Sequence, residues 1–192
     1  NHDLPRMVSQ WGDDRPKCRE ASAKLWLTFL LTMRGTPYVY QGDEIGLPNA
    51  RFGSIEDVQD IEALGTYRER VEAGEDPETV LGHLRQLSRD NARVPIPWTS
   101  GPRGGFTTAD TPWIGLHPDR DRINVAAARQ DAGSVWHYLR RLIELRHDQG
   151  VLAYGDYTDH APKHKRLWAY TRSLDDEAVL VLMNVSDTPL DL

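Results

Sequence analysis

The sequence predicts an α/β chain that gives way, near residue 150, to antiparallel β structure. Three observations carry this. An apolar helical stretch from Lys17 to about Arg34 passes through Gly35-Thr36-Pro37 into the short aromatic and β-branched run Tyr38-Val39-Tyr40. A second helical pattern fills residues 131 to 148, where Val135, Tyr138, Leu139, Leu142 and Leu145 line one face. After Gly150 the period shortens: Leu167 to Thr171 and Ala178 to Val185 read as strands joined by the acidic turn Leu174 to Glu177.

Residues 4 to 16 form an exposed polar loop on this reading, punctuated by Gly12-Asp13-Asp14 and Pro16. In the first helix Leu25, Phe29 and Met33 recur every fourth residue, with Trp26 and Leu30 beside them. A helix apolar over so much of its surface packs on more than one neighbour. Gly35 suits the left-handed position after it, and Thr36-Pro37 stops its continuation. The strand Tyr38-Val39-Tyr40 ends at Gln41-Gly42-Asp43-Glu44, and α/β sheets place ligands at the carboxyl ends of strands. Asp43 and Glu44 therefore stand where a site would be, although a pair bracing the loop explains them more simply.

Two helices are expected at 55 to 72 and 77 to 89, the second opened by Asp76 as N-cap and Pro77 in its first turn. Residues 89 to 124 show little periodicity, but Trp98, Phe106, Trp113 and Ile114 argue for an ordered wall rather than a disordered loop. Asp131 or Ser134 caps the helix that follows, Arg146-His147 suits its C-terminal dipole, and Gly150 ends it. The expected division is residues 1–150 and a separate β domain opening at 151–192.

Composition narrows the function. With 39% hydrophobic and 27% charged residues the 192-residue chain reads as globular, and its net charge of -6 argues against tracking nucleic-acid phosphates. The basic group Lys163-His164-Lys165-Arg166 is short and reads as a solvated loop. The longest apolar run, Leu25 to Met33, falls far below the about 20 residues needed to cross a bilayer. Cys18 stands alone, which excludes an intrachain disulfide and suits a reducing, cytoplasmic setting. Six Trp and seven Tyr against three Phe favour amphipathic rings, which sugar sites and ordinary cores both use.

The residues that could carry chemistry are His2, Asp3, Arg6, Asp43, Glu44, Asp90 and Arg93. Gly104-Gly105 lacks the lysine and spacing of a phosphate loop, no histidine pair has metal-ligand spacing, and no Gly-x-Ser-x-Gly elbow occurs. Carboxylates and a guanidinium beside flat aromatic walls suit a polyhydroxylated ligand: charged groups grip hydroxyls while rings cover C–H faces.

The ordered motifs go further. Asn1-His2-Asp3-x-Pro5-Arg6, then Arg34-Gly35-Thr36-Pro37-Tyr38-Val39-Tyr40-Gln41-Gly42-Asp43-Glu44-Ile45-Gly46, resembles the second half of an α-amylase superfamily catalytic barrel. Ser88-Arg89-Asp90-Asn91-Ala92-Arg93-Val94-Pro95 through Trp98, then Gly105-Phe106-Thr107, Pro112-Trp113-Ile114, Ile123-Asn124-Val125 and Ser134 to Arg146, is similar to the oligo-1,6-glucosidase and α-glucosidase branch.

The resemblance implies the C-terminal portion of a (β/α)8 barrel, entered at the end of strand seven, followed by the start of an antiparallel β domain. Lys17 to Arg34 would be the seventh helix and Thr36 to Gln41 the eighth strand. It also implies a retaining glycoside hydrolase that releases glucose from the non-reducing ends of short α-glucosides such as maltose, isomaltose or sucrose. Asp3 would be the carboxylate that steadies the transition state, His2 would bond the same sugar, and Arg93 would help close the pocket behind it through an upstream aspartate. Asn1, Arg6 and Asp90 would be structural supports.

The nucleophile and acid/base would belong to strands four and five, before residue 1. Asp43 and Glu44 do not replace them, since a retaining pair sits about 5 to 5.5 Å apart around one bond. No cofactor is implied, and a structural calcium would belong upstream. The N-terminus reads as a cut through a larger protein, and the chain alone is expected to be unstable and inactive. Many relatives carry Met-Gln before the tryptophan where this chain has Ile96-Pro97-Trp98, so linkage preference stays open. The same pattern fits a transglycosylase or sucrose isomerase, or an amylase-like transporter partner that has lost its catalytic carboxylates.

Overall fold

The computed structural model describes residues 1–191. A single turn of helix, α1 (Met7–Gln10), precedes the long helix α2 (Arg19–Thr32). Turns of 3-10 helix at Asp43–Ile45 and Ile55–Asp57 lead to α3 (Ile61–Glu72), α4 (Pro77–Leu87) and the four-residue α5 (Asp90–Arg93). After another 3-10 turn at Pro102–Gly105 come α6 (Val125–Gln130), α7 (Val135–Asp148) and α8 (Gly150–Tyr154), then strands β1 (Asp156–Asp159), β2 (Leu167–Leu174) and β3 (Glu177–Asn184).

Helix α2 buries two faces, as its sequence requires. On one, Ala23, Leu27 and Leu31 meet Val8 and the Val135, Leu139 and Leu142 face of α7. On the other, Leu25, Phe29 and Met33 meet Tyr170, Val181 and Met183 of the sheet, with Phe29 and Trp168 rings 4.3 Å apart. Each such side chain taken fully out of water is worth about 1.5–3 kcal/mol, which makes α2 the element shared by both layers.

Its C-terminal end is closed by two arginines from elsewhere. Arg146 of α7, which the sequence assigned to the dipole of its own helix, donates to the carbonyls of Leu31 at 2.6 Å, Met33 at 2.9 Å and Leu152 at 3.1 Å. Arg172 of β2 is fully buried and donates to the carbonyls of Thr32 and Gly155, and to that of Leu152 at 3.1 Å. Carbonyls left unpaired at a helix end are costly inside a protein, and these guanidiniums satisfy them.

The sheet is antiparallel in the order β1-β2-β3, with Tyr170 opposite Val181 and Trp168 opposite Met183. Two smaller clusters complete the interior. Phe52, Val58, Ala63, Leu84, Val94 and Ile114 seat α3 and α4, while Ile45, Leu47, Ile96 and Ile123 lie under the 42–47 turn.

Several local expectations change. Tyr38-Val39-Tyr40 pairs with no strand among the described residues, and Tyr38 is 84% exposed. A strand exists through bonds to a neighbour, and here the Tyr40 N–H donates instead to Asp43 Oδ2 at 3.1 Å. The helix expected from residue 55 starts at Ile61, because Ser54 and Asp57 close a capping box around one 3-10 turn and Asp60 then caps α3. Residues 4 to 16 contain α1, and the stretch before residue 131 contains α6, whose N-cap Asn124 accepts from the Ala127 N–H at 2.9 Å. Ser134, not Asp131, caps α7. Gly150 opens α8 rather than ending α7, and β1, four exposed residues without alternation, left no readable pattern.

Candidate active site

The site grows from the turn at Asn1-His2-Asp3, in which Asn1 Oδ1 accepts the Asp3 N–H at 2.9 Å. This turn presents the Asp3 carboxylate between three partners. Its Oδ1 accepts from Arg93 Nη2 at 2.9 Å and lies 3.7 Å from Arg89 Nη1, while Oδ2 is 2.9 Å from His2 Nε2. Arg93 Nε also donates to the His2 carbonyl at 3.2 Å, so one guanidinium edge holds both neighbours of the turn. The Asp3 and His2 side chains remain 48% and 70% exposed. Asp3 is thus a carboxylate with positive charge behind it and an open acceptor side.

The arginines come from α5 and the residue before it, and that short segment is clamped in turn. Arg89 grips Asp60 with two bonds of 2.8 Å, which holds the Asp60 carboxyl below the ordinary range. Asp90 is fully buried, and its Oδ2 accepts the Gln59 and Asp60 N–H groups at 2.7 and 2.8 Å. The N-terminus of α3 is therefore latched to the Asp3 turn through Asp60, Asp90 and the two arginines.

Arg6 makes the floor. Nε donates to the Asn91 carbonyl at 3.1 Å, Nη1 to Gln41 at 2.5 Å and Nη2 to Ala92 at 3.1 Å. Burial pushes its guanidinium below the ordinary arginine value, and the nearby Asp43 partly offsets this. Asn91 continues the stitching, accepting the Ala50 N–H at 3.0 Å and donating to the Ser88 carbonyl at 2.9 Å. Asp43 and Glu44 brace the turn: they accept the Tyr40 and Gly42 N–H groups at 3.1 and 2.6 Å, and burial raises the Asp43 carboxyl.

Of the sequence candidates, His2, Asp3, Arg93 and Asp90 come together, and Asn1 and Arg6 support them from below. Arg93 bonds Asp3 directly. Arg89 and Asp60 were missed as members of the cluster; an arginine inside a recognised motif was the only signal for the first, and an N-cap aspartate gives none for its partner. A cavity of about 630 Å³ between Trp11, Trp26 and residues 184–188 is lined by none of these groups. Among the described residues no three His, Cys, Asp or Glu side chains converge as a metal site.

A carboxylate held by guanidiniums and open on one side, beside an arginine-stitched wall, is an arrangement for gripping hydroxyls and opposing positive charge. Comparison with known proteins agrees in class. The α-amylase catalytic domain matches residues 1–155, and the chain belongs to that family of glycoside hydrolases. Its curated relatives place it on the oligo-1,6-glucosidase branch. It is 48% identical, over 99% of its length, to the oligo-1,6-glucosidase of Parageobacillus thermoglucosidasius, and 41% identical over 97% to the trehalose-6-phosphate hydrolase of Escherichia coli strain K12. Among solved structures, the trehalulose synthase of Pseudomonas mesoacidophila MX-45 superposes with a TM-score of 0.92 at 45% identity, covering 96% of this chain and 33% of that one. An isomaltulose synthase of Erwinia rhapontici NX5, in complex with sucrose, gives 0.93 at 44%, covering 97% and 34%. The chain spans about a third of the length of the curated relatives it matches, 34% of the first and 33% of the second.

Proposed function

We propose that this chain is the C-terminal part of a retaining α-glucosidase of the oligo-1,6-glucosidase type, entering its (β/α)8 barrel at the end of strand seven. Residues 1–150 would complete the barrel and 151–192 would open the C-terminal β domain. The observation that carries the reading is Asp3, exposed on one side and backed by Arg93 and His2 in a chain of this family. In the reaction a carboxylate from an upstream strand attacks the anomeric carbon, the bond to the leaving oxygen breaks, and an upstream acid protonates that oxygen. Positive charge develops on the sugar ring as this happens. Asp3 opposes that charge and accepts ring hydroxyls, His2 bonds the same sugar, and Arg93 fixes the carboxylate. The chain by itself would hydrolyse nothing.

The test is hydrolysis by the full-length protein of isomaltose, maltose and sucrose, followed by NMR of the first-formed anomer. α-Glucose as the initial product supports the reading; β-glucose, or no turnover of any α-glucoside, defeats it. A second reading, sucrose isomerisation, is favoured by the superposition on two sucrose-isomer synthases. It predicts that sucrose yields an isomeric disaccharide with little free glucose.

A further inference from the structure

Asp90 has one oxygen that loop bracing does not explain. Oδ2 takes both backbone N–H groups, whereas Oδ1 is buried with no hydrogen-bond partner among the described residues and faces Arg93 Nη1 at 3.9 Å. A buried carboxylate oxygen without a partner is costly unless a nearby cation offsets it. Arg93 meets that need with the side of its fork not already used: Nε and Nη2 hold His2 and Asp3, and Nη1 is left for Asp90. The guanidinium is thus shared between an exposed carboxylate and a fully buried one.

We infer that Asp90 is a positioning residue: its unpartnered oxygen holds one side of Arg93 and keeps that guanidinium from closing on both oxygens of Asp3. Asp3 Oδ2 then keeps His2 Nε2, at 2.9 Å, as its one side-chain partner among the described residues, and the half-exposed carboxylate keeps its charge for the ring. This rests on the proposed glucosidase reading. A purely structural Asp90 would be needed only for its two backbone bonds.

Asp90→Asn separates the two roles, because the amide oxygen still accepts the Gln59 and Asp60 N–H groups while a neutral donor now faces Nη1. In the full-length protein kcat on p-nitrophenyl α-glucoside is expected to fall roughly 10- to 100-fold with the thermal midpoint near wild type. Binding of a protonated six-membered iminosugar, which reads the charge at Asp3, should weaken about 10-fold while glucose changes less than about threefold. Arg93→Lys, whose single ammonium cannot serve both carboxylates, should lower the iminosugar-to-glucose preference in the same direction and covers the case of an Asp90→Asn that does not fold. An unchanged preference in a folded variant overturns the inference while leaving the glucosidase reading intact. A wild-type protein that turns over no α-glucoside and binds neither sugar overturns both.

Discussion

The Arg6 guanidinium lies where a side chain at residue 42 would have to stand: a Cβ on Gly42 would sit 2.7 Å from Arg6 Nη1. Residue 42 also has φ +97°, a conformation L side chains rarely adopt. Gly42→Ala should therefore cost about 1–2 kcal/mol from backbone strain alone and more from displacing Arg6, read as a lowered denaturation midpoint. Arg6→Met leaves the Gln41 and Asn91 carbonyls without their donor, at about 1–3 kcal/mol each, while Ala92 keeps the Tyr40 hydroxyl, and should be the more damaging change.

Asp3→Asn keeps the shape of the carboxylate and removes the charge that Arg93 and Arg89 face. If Asp3 opposes the charge of the transition state, kcat of the full-length enzyme should fall roughly 100- to 1,000-fold or more, with KM changing far less. A loss confined to KM would assign Asp3 to substrate binding only.

Arg172 joins the sheet to the end of α2 and to α8 through buried carbonyls. Arg172→Met fills the space but leaves the Thr32 and Gly155 carbonyls without this donor, while Leu152 keeps Arg146, and should destabilise by roughly 2 kcal/mol or more. Because these hydrogen bonds tie the sheet to the helices, limited proteolysis of the variant should cut near residues 155–166 before it cuts α2 or α7.

His117 is buried, with Nε2 donating to the Pro48 carbonyl at 3.1 Å and Nδ1 accepting the Asp119 N–H at 3.1 Å. Both ring nitrogens are occupied as in neutral imidazole, and burial lowers its pKa. The unfolded chain therefore takes up a proton first as pH falls below about 6.5, and stability declines from there until the folded pKa is reached. His117→Gln should flatten the midpoint-against-pH curve in that window; an equally steep curve would remove His117 as its cause.

Two features of α2 and its surroundings separate what was legible from what was not. The apolar pattern of Leu25, Phe29 and Met33 with Trp26 and Leu30 beside them forecast a helix packed on more than one neighbour, and it is one, although the second face is made by Ala23, Leu27 and Leu31. The same reading made a strand of Tyr38-Val39-Tyr40, since aromatic and β-branched residues favour extended backbone, yet no neighbour pairs with it among the described residues. It also gave Arg146 to its own helix dipole, when the side chain reaches across to the carbonyls that end α2.

The sequence by itself determined the helices with long apolar faces, the β2–β3 hairpin, the family, and His2, Asp3 and Arg93 as site residues to examine. Those signals are local: periodicity, caps, and ordered motifs. Only the tertiary structure decided that Arg89, Asp60 and Asp90 converge on Asp3, and that Arg6 requires Gly42. Charge pairing and close approach depend on distances across the fold, between residues 3, 60 and 90 or 6 and 42, and no pattern along the chain records those distances.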